Sequence, residues 1–164
     1  MSLTPVAQRR QLLTLMGAGL LPGLALAQPH DKNLPVPDAL GDELARALAR
    51  KEPLVVMVSL QGCPFCKVVR ENHLLPLQHA GLPVVQVDMR ERRRVTDFNG
   101  RALSHDDLIR QWGVRIAPTV LFFGPEGQEV AARLNGAYLP DFYSAYLDEQ
   151  LTQARRALQR MPRA

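Results

Sequence analysis

Cysteine is scarce in this chain, with two residues in 164, Cys63 and Cys66. That scarcity excludes a framework of several disulfides. It also removes the second cysteine pair that a closed four-thiolate zinc site needs. Long apolar runs are missing too. The one candidate, Leu12 to Ala27, is broken by Thr14, Gly17, Gly19, Pro22 and Gly23 and is short for a helix that crosses a bilayer. A large excess of charge is absent as well. The whole chain carries +4, but removing Met1–Ala27 takes away Arg9 and Arg10 and no acid, which leaves +2. No nucleic-acid partner is therefore expected. Arg90, Arg92, Arg93 and Arg94 form a local basic run around Glu91. Such runs are first of all solvated loop, and a steering patch for an acidic partner is the second reading.

What is present divides the chain in three. Arg9-Arg10, the apolar run and Ala25-Leu26-Ala27 before Gln28 have the order of a secretory signal peptide, expected over residues 1–27 and cleaved after Ala27. An uncut anchor is the alternative. Arg9-Arg10-Gln11-Leu12-Leu13 also looks like a twin-arginine export signal, with ordinary secretion an equal reading. Residues 28–37 are polar and proline-rich and read as a flexible leader. With 46% hydrophobic residues, the remainder, 38–161, is expected to form one domain with its own core.

The two cysteines stand in Gln61-Gly62-Cys63-Pro64-Phe65-Cys66-Lys67, between a buried-strand pattern (Leu54 to Ser59) and a helical one. A C-x-x-C in that context reads as a redox-active dithiol. The first turn of a helix has unpaired N–H groups and the positive end of the dipole, which favour a thiolate there. Pro64 suits the first helical position, where a missing N–H costs little. A structural disulfide fits less well, because so short a loop removes little entropy from the unfolded chain. A metal site fits less well too. His73 is the nearest further ligand, and seven residues of helix put it roughly 10 Å along the axis.

Along the domain, Leu40, Leu44 and Leu48 predict a helix over 38–50, ended by Pro53. Leu54 to Ser59 is apolar on both faces, as a central parallel strand should be. The helix from Cys63 is expected to kink or end at Pro76. Leu82 to Val87 reads as a second buried strand, which completes a βαβ unit with the dithiol at the carboxyl end of its first strand. Val95 to Leu103 fits a small hairpin turning at Asn99-Gly100. Ser104 caps a helix carrying Leu108, Ile109 and Trp112. Thr119 to Phe123 and Gln128 to Leu134 are expected to form a hairpin about Gly124-Pro125-Glu126-Gly127. A last helix starts near Pro140, with Tyr143, Leu147, Leu151, Ala154 and Leu158 on its apolar stripe.

Three stretches carry a resemblance. Cys63-Pro64-Phe65-Cys66-Lys67 after a buried strand, Trp112-Gly113-Val114-Arg115-Ile116-Ala117-Pro118-Thr119, and the Gly124–Gly127 turn before a terminal helix follow one another as in thioredoxin. The chain resembles thioredoxin across nearly all of the region after the signal. The segment from Met89 to Leu103 is similar to an insertion in exported bacterial thioredoxin-like proteins, including the thioredoxins linked to sulfur oxidation. The resemblance implies an α/β fold with a central mixed sheet flanked by helices and a cis-proline beside the C-x-x-C site. It implies that Cys63 and Cys66 form the redox-active disulfide, Cys63 attacking and Cys66 resolving. It implies a cis Ala117–Pro118 bond, with the Ala117 backbone pairing with an extended substrate segment and the Pro118 ring keeping metals from the sulfurs. No cofactor and no metal are expected. Protein disulfides are the implied substrates, the periplasm the location, a membrane-embedded electron donor the partner, and a monomer the oligomeric state.

The chain departs from thioredoxin at two positions. Met57 stands where thioredoxin has a buried acid, and Gly62 where it has Trp. Pro64-Phe65 is closer to the Pro-Tyr of glutaredoxins, but their glutathione-binding pattern is not evident. Phe65 replaces the His that supports the thiolate in periplasmic oxidases, which argues for a reductase or isomerase. The competing functions are a metal or thiol chaperone using the same pair, and a thioredoxin-fold adaptor with an inert pair.

Overall fold

The computed structural model describes residues 32–137 and 142–161. The expected signal peptide, residues 28–31 of the leader and the expected helix start near Pro140 lie outside them.

Helix α1 (Leu40–Ala49) leads into strand β1 (Leu54–Ser59), buried at every position. Helix α2 (Pro64–Val68) follows, then a π-helical stretch (Val69–Leu74) and α3 (Leu75–His79). Pro76 explains the wide turn. It has no N–H to give to residue 72, and its ring would press on that carbonyl. The helix absorbs both by widening just upstream, where the Leu75 amide bonds back to the Arg70 carbonyl. It does not end at Pro76, and the distortion expected there takes the form of the π-helical stretch.

Strand β2 (Val84–Asp88) pairs parallel with β1. The expected hairpin is present as β3 (Arg94–Thr96) and β4 (Ala102–Ser104). Its turn is built on the buried carboxylate of Asp97, which accepts the Asn99 and Arg101 amides and the Arg101 guanidinium. Ser104 caps α4 (His105–Gln111) by accepting the Asp107 amide. Strand β5 (Thr119–Phe123) runs antiparallel to β1. A 3₁₀ turn (Pro125–Gly127) and a short β6 (Leu134–Asn135) follow, then the long helix α5 (Tyr143–Arg160).

The sheet order is β2-β1-β5-β6, one parallel and two antiparallel pairings. This is the expected central mixed sheet, and alternation along its strands feeds two cores. Val55, Met57, Val120 and Phe122 pack beneath α2, α3 and α5, against Cys66, Val69, Leu74, Leu147 and Leu151. Leu54, Val56, Leu121 and Phe123 meet α1 and α4, through Leu40, Leu44, Leu108 and Ile109. Each fully buried Leu or Phe contributes about 1.5–3 kcal/mol by leaving water.

Two expectations are corrected. The return strand is not continuous over 128–134: Glu129 bridges Phe123, and pairing resumes only where Leu134 meets Val120. Two residues more than β5 supplies lie between those pairings, so the chain bulges through Ala131 to Arg133. The described part of the leader, residues 32–37, belongs to the domain. Leu34 is 2% exposed and lies in the core under α2 and α5. The Pro35 carbonyl accepts the Gln86 amide over 2.8 Å, which covers part of the open edge of β2.

Candidate active site

The site lies at the carboxyl end of β1, where the chain turns sharply into α2. Gly62 makes that turn in the left-handed region (φ +76), which a side chain bearing a β-carbon resists. Cys63 is the N-cap of α2, and Pro64 occupies the first turn. Cys63 and Cys66 are joined in a disulfide, their Cα atoms 5.3 Å apart. The Cys66 amide donates to Cys63 Sγ over 3.1 Å. This is one of the orphan donors of a helix start, aimed at the first sulfur. Cys66 is 1% exposed and packs with Met57 and Val69, whereas Cys63 is partly open to solvent. The pair is therefore asymmetric, with one accessible sulfur backed by one buried sulfur.

Ala117 and Pro118 come from the far end of the sequence onto this pair. The Ala117–Pro118 bond is cis, Pro118 is buried, and the Ala117 carbonyl oxygen lies 4.0 Å from Cys63 Sγ. All four residues singled out by the sequence thus meet at one place. Phe65, between the cysteines, and Ile116, just before Ala117, are exposed, 60% and 45% open.

Position 57 is apolar, and the polar groups lie one strand over. Gln86 pairs in register with Met57. Its carbonyl oxygen accepts from Arg70 Nη1 over 3.3 Å, and its amide donates to Asp88 Oδ1 over 2.9 Å. Arg70, Gln86 and Asp88 line a cleft of about 680 Å³ that also reaches Cys63 and Lys67. Sequence reasoning missed this chain. Its one signal is the polar Gln86 inside Val84-Val85-Gln86-Val87.

His73 is not drawn toward the sulfurs: its Nδ1 is 3.1 Å from Ser144 Oγ, and its ring rests on Tyr143. Burial lowers its pKa from the ordinary value. Among the described residues no group of three His, Cys, Asp or Glu side chains is placed to hold a metal ion.

A partly open sulfur at a helix start, a buried partner one turn on and a cis-proline against the first define a thiol–disulfide oxidoreductase. A model of the thioredoxin-like domain matches residues 40–151, and the chain belongs to that family. Several solved structures are similar to this chain at low identity. A thioredoxin-fold protein from Helicobacter pylori is 16% identical, with 66% of this chain and 83% of that one aligned at a TM-score of 0.48. Thioredoxin from Malassezia sympodialis is 18% identical over 75% and 91% of the two chains, at 0.48. The periplasmic thioredoxin SoxS from Paracoccus pantotrophus is 20% identical over 63% and 99%, at 0.41. No curated protein matches the chain.

Proposed function

We propose that this chain is exported to the periplasm and reduces protein disulfides there. The observation that carries the reading is the asymmetry of the pair: Cys63 Sγ is accessible and receives the Cys66 amide, while Cys66 is buried behind it. In the reduced protein that amide and the helix end favour the Cys63 thiolate. The thiolate attacks one sulfur of the substrate disulfide, whose bond breaks as the Cys63–substrate bond forms, and the other substrate sulfur leaves as a thiol with a proton. Cys66, losing its proton, then attacks Cys63 Sγ and releases the second substrate thiol. The substrate gains two electrons and two protons, and the protein is left as the Cys63–Cys66 disulfide. A thiol-bearing reductant must restore it, and in an oxidising compartment a membrane-embedded donor fills that role.

Export rests on Arg9-Arg10, the broken apolar run and Ala25-Leu26-Ala27. Substrate docking falls to Ala117, whose backbone beside Cys63 is placed to pair with an extended segment. Reduction of insulin disulfides by the purified domain, with dithiothreitol as donor, tests the activity. Wild type should precipitate insulin chains, Cys63→Ser should not, and Cys66→Ser should accumulate mixed disulfides on Cys63. Insulin left intact by the wild type would favour the chaperone or adaptor readings.

A further inference from the structure

The cleft beside Cys63 carries an imbalance of charge that thiol exchange itself does not use. Lys67, Arg70 and Arg90 line it, together with the acids Asp88 and Glu91. Both acids are engaged locally: Asp88 Oδ1 by the Gln86 amide group, Glu91 Oε1 by the Arg93 backbone amide. The three cations outnumber the two acids and form no ion pair with them. Among the described residues, Lys67, Arg70 and Arg90 enter no ion pair, whereas Arg46, Arg101, Arg110, Arg133 and Arg155 all do. Arg70 bonds only to the neutral Gln86, and its Nε is buried without a partner. Arg92 and Arg93 stand exposed in the same loop, again with no ion pair.

The loop that bears Arg90 is held rather than loose. Arg90 sits at φ +62, a left-handed conformation unfavourable for a side chain of its size. Its amide is tied to Asp106 Oδ1 at 2.9 Å. The Met89 amide is tied to the Ser59 carbonyl, and the Asp106 amide to the Glu91 carbonyl. Strain maintained by surrounding bonds is characteristic of positions where geometry serves a function. Here the bonds fix the backbone of a residue that lines the same cleft as Cys63.

We propose that the protein substrate carries an acidic, extended segment next to its disulfide, and that this segment seats on Lys67, Arg70 and Arg90. The inference rests on the reductase reading above, and specifies its substrate. The cleft's volume, near 680 Å³, suits several side chains of a peptide. Pairs of this partly exposed kind contribute modestly one by one, yet together they raise the encounter rate and exclude basic partners.

The test separates docking from catalysis. A fluorescent, cysteine-free peptide rich in Asp and Glu, and its Lys counterpart of equal length, are titrated against the full-length oxidised protein. The acidic peptide should bind about tenfold tighter at low salt. The difference should vanish near 1 M salt, where the screening length falls to about 3 Å. Arg90→Asn, whose replacement tolerates the left-handed backbone, combined with Lys67→Gln should cut the preference to about threefold or less. The control Lys51→Gln, which removes one positive charge outside the cleft lining, should leave it unchanged. Equal affinities for the two peptides would overturn the proposal, even with insulin reduction intact. An unchanged preference in the double variant would overturn it as well. So would equal displacement of the acidic peptide by a small dianionic disulfide at the same concentration, because the cleft would then be reading charge without a chain.

Discussion

Met57 and Gln86 lie side by side across the parallel β1–β2 pairing, on the sheet face that packs against the dithiol helix. The first is wholly buried and apolar, and the second holds Arg70 on one side and Asp88 on the other. At this pairing a buried polar side chain is thus absent from the strand that leads into the cysteines and present on its neighbour. Gln86 is the joint of that arrangement.

Replacing Gln86 by Leu keeps the volume and removes both bonds. Arg70 then loses its one side-chain acceptor, and Asp88 loses its amide donor. Leaving such groups unsatisfied costs about 1–3 kcal/mol. Urea unfolding should show a lower midpoint for Gln86→Leu, and Arg70→Leu added to it should recover part of the loss. Strictly additive effects of the two changes would contradict the coupling.

His105 makes stability depend on pH. The ring is buried, and its Nδ1 accepts the Asp88 amide over 3.2 Å, so the ring is neutral with its proton on Nε2. Burial is the main cause that lowers its pKa below 6.5; Asp88 and Glu91 pull upward and Arg93 downward. The unfolded chain therefore takes up the proton first as pH falls. The contribution to stability is complete above about pH 6.5 and is lost as pH drops through the folded value. Melting temperature followed from pH 7.5 to 5 should fall more steeply for the wild type than for His105→Gln, which keeps an acceptor and does not titrate. Parallel curves would rule this out.

Gly127 is required twice over. Its φ is +69, and a β-carbon there would stand 2.5 Å from the Phe98 ring. Gly113 has nearly the same φ, +67, with nothing within 4 Å of such a carbon. Alanine at position 113 should therefore carry the backbone cost alone, about 1–2 kcal/mol. Alanine at 127 should add an overpacking cost of about 1–3 kcal/mol. Thermal melts of the two variants measure the difference, and equal losses would mean that Phe98 moves aside freely.

The reductant reading predicts a potential between about −270 mV, typical of thioredoxin, and about −180 mV, typical of an isomerase. Phe65 lies between the cysteines and projects into solvent, offering neither charge nor hydrogen bond to the Cys63 sulfur. The helix end and the Cys66 amide are then the main support of the thiolate. Equilibration with glutathione buffers reads the value. A result near −120 mV would identify an oxidant, and Phe65→His should move the wild-type value in that direction.

The amino-acid sequence by itself determined those features whose cause is local. C-x-x-C after an apolar strand specifies a helix start with two thiols one turn apart, and Cys63 does cap α2. Ser104 before two acids specifies a capped helix, and repeating Leu positions specify which face of α1 and α5 is buried. Trp112 to Thr119 placed the cis-proline by resemblance. Tertiary structure alone decided the rest, because each remaining feature joins residues far apart in sequence. Leu34 looks like part of a polar leader until the space under α2 and α5 is seen to receive it. The bulge at 131–133 depends on how β5 and its return segment share register. The cleft brings Lys67, Asp88 and Arg90 from separate elements to the rim of the same cysteine. Local pattern reports propensity and periodicity. Burial, register and the summed field of distant charges exist only once the chain has folded.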